Sequence, residues 1–222
     1  MKSINILILL AFVISIAKGQ DKKYLQTMES SIPGIFQAES TSDLDPIANK
    51  FDRIGQAEVD QWEPYYYASL AYVFKAFRIT DLPAKDAVLD QALTALAKGA
   101  AQSDNNAEII ALQGFINMIK IGVDPGTRGQ TLSPKIMADF SKALKLEPEN
   151  PRANLFMAQM LFGTAQFFGT GVEDACAMVD KSAALFDAES SKTGIAPSWG
   201  QPSAQQYQKQ CKAALAKAET EE

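Results

Sequence analysis

The chain has 222 residues with 21 basic and 26 acidic side chains, a net charge of −5, two cysteines and no histidine. The acidic balance disfavours nucleic acid, whose phosphate backbone needs clustered Lys and Arg. Without imidazole the chain lacks the usual general base near neutral pH, the commonest metal ligand and every catalytic triad or zinc motif that includes it, so neither a metal nor a cofactor is expected.

In chain order, Lys2 supplies a short positive region, residues 4–16 form an almost unbroken apolar run, and Ala17 and Gly19 place small residues at −3 and −1 before Gln20. The run is too short to span a bilayer comfortably, so residues 1–19 read as a signal peptide cleaved near Gly19/Gln20. The mature protein is then expected to be periplasmic or secreted, a single domain over residues 20–222 with no membrane insertion. In that oxidising setting Cys176 and Cys211 invite a disulfide that would close a loop of about 35 residues and add about 3 kcal/mol. Two separate buried thiols are the alternative.

The mature sequence reads as all-α, with apolar residues recurring three and four apart and strand signals nearly missing. A helix from about Tyr24 is interrupted near Pro33, and a second follows Thr41-Ser42-Asp43 with Ile47, Phe51 and Ile54 on its buried stripe. Pro64 opens a helix carrying Tyr67, Leu70, Ala71 and Phe74 on one face, and Pro83 opens another with Val88, Ala92, Leu93 and Leu96. Asn105-Asn106 ends that unit, and the next helix uses Ile110, Gly114 and residues 116–121. The stretch from Gly122 to Pro134 holds three glycines and two prolines and is expected to be a loop. Pro134 then begins a helix with Ile136, Phe140, Ala143 and Leu144, which Pro148 stops. After Pro151 a helix runs to Phe167-Phe168 and breaks at residues 169–171, and another covers about 173–188. A polar connector containing Trp199 leads to a helix over 203–219, polar outside the stripe Tyr207, Cys211 and Leu215. That pattern suits a terminal cap, with Trp199 as its anchor.

Aligning these helices exposes a repeat: Pro64, Ala107 and Pro151 each begin a helix whose eighth residue is small, namely Ala71, Gly114 and Ala158. The spacings of 43 and 44 residues exceed the roughly 34 of a tetratricopeptide repeat, and the surplus is expected in the loops. The segment from Phe140 to Ala153 nevertheless resembles the tetratricopeptide (TPR) family closely. Phe140 stands at the aromatic place of a second helix, Ala143-Leu144 at its Ala-Leu, Pro148 at the turn, and Asn150-Pro151-Arg152-Ala153 at the entry to the next repeat. The resemblance extends over roughly residues 44–186 and is similar to that of secreted TPR proteins of Gram-negative bacteria.

That resemblance implies a right-handed stack of antiparallel helical hairpins, an α-solenoid of about nine helices. It also implies a concave face lined by the first helix of each hairpin, whose positions 2, 5, 9 and 12 meet the ligand. The candidate binding residues are then Tyr65, Tyr72, Lys75, Phe115, Met118, Arg152, Gln159 and Phe162, an apolar and aromatic groove with Lys75 and Arg152 as isolated charges. The groove lacks the paired Lys and Asn that clamp an acidic C-terminal tail. The carboxylates are spread along surface helices with no pair set apart by an apolar environment, so no catalysis is expected. The function implied is an exported scaffold for a protein or peptide. The alternative is a carrier of a small apolar ligand, lipid or glycan in the aromatic groove.

Overall fold

A computed structural model describes residues 22–189 and 194–221; the leader read over residues 1–19 lies outside the described residues. Among the described residues all regular structure is helical. Residues 22–31 form α1, followed by α2 (Pro33–Gln37), α3 (Thr41–Ala57), α4 (Glu63–Arg78) and α5 (Leu82–Ala100). The chain continues with α6 (Ala107–Val123), α7 (Pro125–Leu146), α8 (Pro151–Phe168), α9 (Glu173–Glu189) and α10 (Gln201–Glu221). The helices pack as antiparallel neighbouring pairs, α4 against α3 and α5, α6 against α7, α8 against α9 and α9 against α10, while α6 and α8 also touch directly. No helix among the described residues is long and apolar enough to cross a membrane.

The start signals act through satisfied backbone donors. Asp43 Oδ2 accepts the N–H groups of Ser40 and Glu39 at 2.8 and 3.1 Å and fixes the entry to α3. Asp81, Asn106 and Asn150 each accept a first-turn N–H, from Ala84, Ile109 and Ala153, at 2.9, 3.1 and 2.8 Å. Asn105 before α6 adopts φ 54°, a left-handed turn that Asn tolerates, and Gly169 closes α8 at φ 67°.

The small residues of the repeat have a packing reason. A Cβ at Gly114 of α6 would stand 2.5 Å from Phe140 Cε1 of α7, so the aromatic of one hairpin helix fills the space that glycine leaves. Gly55 does the same for the Tyr65 ring, at 2.7 Å. At the far end Cys176 of α9 and Cys211 of α10 form a disulfide with their Cα atoms 5.5 Å apart, beside Phe162 and Val179.

The stretch 122–134 differs from its expectation. It is helix, not loop: α7 begins at Pro125 and continues through Pro134. Asp124 caps it by accepting the Thr127 N–H at 3.3 Å. Arg128 ties the first turns to α5, donating to Asp86 at 2.5 and 2.8 Å, and Asp86 also pairs with Lys120 of α6 at 2.9 Å. The lost donor of Pro134 is tolerated on the exposed side of the helix. The extra length of this repeat is therefore helical.

Candidate ligand-binding face

The segment 194–200 between α9 and α10 folds back across the inner side of α4, α6 and α8. Tyr67 donates its hydroxyl to the Ile195 carbonyl at 3.0 Å, and the Trp199 indole N–H donates to Tyr66 Oη at 2.9 Å. Beneath this connector Arg152 is 2% exposed. It reaches Glu108 through Nε and Nη2 at 2.7 and 2.8 Å, Glu189 through Nη1 and Nη2 at 2.8 and 2.7 Å, and the Trp199 carbonyl through Nη1 at 3.0 Å. All five guanidinium N–H groups are thereby used. Burial works against the charge, but Glu108 and Glu189 together outweigh it and hold the Arg152 pKa above its ordinary value. Asn150 and Tyr66 donate to Glu108 at 2.6 and 3.3 Å and spread its remaining charge. Burial first, and Glu108 second, keep the Tyr66 phenol protonated as that donor.

This network corrects two sequence expectations. Arg152 is not an isolated groove charge, and Glu108 with Glu189 forms a buried carboxylate pair that spacing along the chain did not show. Their geometry is structural: both carboxylates are held by the same guanidinium. A cleft of about 620 Å³ adjoins them, lined among others by Asn106, Glu147, Glu149, Pro197 and Ser198. Among the described residues no group of three or more His, Cys, Asp or Glu side chains is placed to hold a metal ion.

Beyond the connector lies a continuous run of rings. Phe36 of α2 meets Phe74 of α4 edge-on at 5.3 Å; Phe74 meets Phe77 at 6.2 Å and Trp199 at 6.4 Å. Phe77 meets Phe115 of α6 at 6.1 Å, and Phe115 stacks on Phe156 of α8 at 4.2 Å and 8°. Trp199 lies 6.3 and 6.0 Å from Phe115 and Phe156. Such pairs contribute about 0.5–1.5 kcal/mol each beyond area burial and hold one another's planes. The outer members are open to solvent: Phe36 is 43% and Phe77 53% exposed. The stripe continues along α8 through Met160 and Gly163 to Phe167, which is 82% exposed, and a Cβ at Gly163 would meet nothing within 4 Å. Phe156 itself is 2% exposed, so the open part of this face is the Phe36, Phe74, Phe77 and Phe115 cluster, and grouped exposed rings mark an interaction site more readily than scattered ones do.

The eight sequence candidates do not converge on it. Phe115 lies at its centre and Met118, half-buried, one turn further along α6. Tyr65, Tyr72 and Lys75 sit elsewhere on α4. Tyr65 is buried on Gly55 with Lys98 at 5.7 Å from its ring, Tyr72 lines a shallow cleft of about 300 Å³ between α3 and α5, and Lys75 pairs with Asp45 of α3 at 2.7 Å. Lys75, like Arg152, is therefore no isolated charge. Gln159 is half-buried on α8, and Phe162 is buried against Tyr207 of the cap at 6.2 Å. Sequence reasoning missed Phe36, Phe77 and Phe156 and gave Phe74 only as part of one face of its helix. The spacing of Phe74 and Phe77 on one side of α4, and of Phe156, Met160 and Phe167 on one side of α8, was the available signal.

Neither a protein-family model nor a curated protein sequence matches the chain. Among solved structures it is similar to the HusA haemophore from Porphyromonas gingivalis, with 27% identity and a TM-score of 0.75 over 86% of this chain and 93% of that one. A thermophilic TPR protein from Thermus thermophilus matches with 16% identity and a TM-score of 0.46 over 65% of this chain and 63% of that one.

Proposed function

We propose that this chain is a carrier that binds a flat, largely apolar molecule of the tetrapyrrole class, haem being the reference cargo, on the aromatic face of α4, α6 and α8. The observation that carries this reading is the half-open ring system Phe36, Phe74, Phe77, Phe115, Phe156 and Trp199. Its rings already hold one another, so a planar ligand docks without first ordering the surface, which limits the entropic cost of binding. The similarity to a haemophore over most of both chains supports the choice of cargo.

Composition shapes how the cargo is held. With no histidine in the chain and both cysteines in the disulfide, imidazole or thiolate ligation of iron is not available, and stacking with apolar burial supplies the affinity. On this reading the protein works by binding, without bond chemistry, and the leader read over residues 1–19 sends it to the periplasm or the medium to meet its cargo. The scaffold for a protein or peptide is the less favoured reading, because the connector 194–200 already lies over the helix-start half of the inner side, where an extended peptide would run. The test is co-elution: purified protein mixed with haem and passed through a sizing column should retain the chromophore, and elution of the two in separate fractions would refute a carrier.

A further inference from the structure

We propose that Arg78 is the anchor for a carboxylate of the cargo, which makes the ligand a planar anion and not merely a planar apolar molecule. The inference rests on the carrier reading and adds a polar determinant to it.

Arg78 is the last residue of α4, immediately after Phe77 and one turn after Phe74. Its guanidinium is tethered at two points, Nη1 to the Phe74 carbonyl at 3.2 Å and Nη2 to the Ala38 carbonyl at 2.7 Å. Ala38 lies two residues beyond Phe36, so the tether fixes the cation at the rim where Phe36 meets Phe74. Two of its five N–H groups are used; the other three have no protein partner among the described residues, and the side chain is exposed.

The other cations near the helix bundle's inner helices are spent. Arg152 has all five donors engaged, Arg128 and Lys120 are paired with Asp86, and Lys75 is paired with Asp45. The acid that feels Arg78, Asp43, is itself held by the Ser40 and Glu39 N–H groups and forms no ion pair with it. A fixed guanidinium with free donors beside open rings matches a ligand whose flat apolar body carries a carboxylate at its edge. A pre-positioned fork also loses less side-chain freedom on binding than a mobile lysine would.

The test compares metal-free protoporphyrin with its dimethyl ester, which keeps the ring and removes the charges, by quenching of tryptophan fluorescence at low salt. Wild-type protein should bind the diacid about fivefold more tightly than the diester, the preference of a partly exposed charge pair. Arg78→Gln should bind both as the wild type binds the diester, and Arg78→Lys should keep part of the preference. Equal affinity of the wild type for both compounds, with binding intact, overturns the anchor alone. Binding of neither overturns the carrier reading and the anchor with it. The wild-type comparison stands even if Arg78→Gln loosens the tie to Ala38.

Discussion

The indole N–H of Trp199 donates to the hydroxyl of Tyr66 at 2.9 Å, joining the connector to α4 across 133 positions of sequence. This bond sets Trp199 among Phe74, Phe115 and Phe156, so the ring system and the connector are built together. Tyr66→Phe removes this acceptor, and with it the donor to Glu108, while keeping the ring. It should cost about 1–2 kcal/mol, the usual penalty for orphaning a half-buried donor. Denaturant midpoints check the loss, and hydrogen exchange over residues 195–200 should quicken. An unchanged midpoint would show that the hydroxyl holds nothing.

Arg152→Lys should be far from conservative. Lysine offers three donors from one point, whereas Arg152 bridges two carboxylates and a carbonyl with five. Leaving Glu108 and Glu189 incompletely paired should destabilise the fold by about 3 kcal/mol, and Arg152→Met by up to about 5. Thermal unfolding measures both. A lysine variant as stable as the wild type would mean that charge alone, not the fork, secures the pair.

The Asp86 cluster predicts an acid-sensitive contribution. The Arg128 hydrogen bonds hold the Asp86 pKa at about 2, below the ordinary 3.8. A carboxylate depressed in the folded state stabilises fully above the unfolded value and loses that stabilisation as pH falls through the folded one. Asp86→Asn should therefore cost about 1–2 kcal/mol at pH 7 after allowance for partial exposure. The gap between variant and wild type should narrow as pH falls from about 4 through about 2. An undiminished gap at pH 2 would contradict the assignment.

Reducing the Cys176–Cys211 bridge should lower stability by about 2–4 kcal/mol through the freed unfolded chain. The bridge lies between α9 and α10, away from Phe77 and Phe115, so cargo affinity should change little where the fold persists. A large loss of affinity in the folded, reduced protein would place the site nearer the cap.

Local signals made most of the fold legible. Pro64, Pro83 and Pro151 begin helices as their fixed φ requires, Asn106 and Asn150 cap, and Gly114 admits Phe140. Residues 122–134 were not legible, because glycine and proline there are overruled by a tertiary tie, Arg128 to Asp86, which spans 42 residues. The candidate site was legible in kind but not in place. Phe115 fell where the repeat register put it, whereas on α4 the same register leads to Tyr72 and Lys75, which face α3 and α5. α4 packs between both of those helices, so its inner side is the one bearing Phe74 and Phe77. The role of the connector rests on contacts such as Tyr67 to Ile195, 128 residues apart, and no local pattern encodes them.

Phe77 offers the most direct test of the aromatic face, since it is 53% exposed and touches Phe74 and Phe115 while carrying little of the core. Titration of wild-type protein and Phe77→Ala with metal-free protoporphyrin, followed by quenching of tryptophan fluorescence, measures its part in binding. The wild type should quench saturably, and the variant should keep its helicity and thermal midpoint while binding about fivefold to thirtyfold more weakly, the range of about 1–2 kcal/mol for one lost ring contact. Saturable quenching with the same midpoint in both proteins, or none in either, would contradict a cargo site on this face.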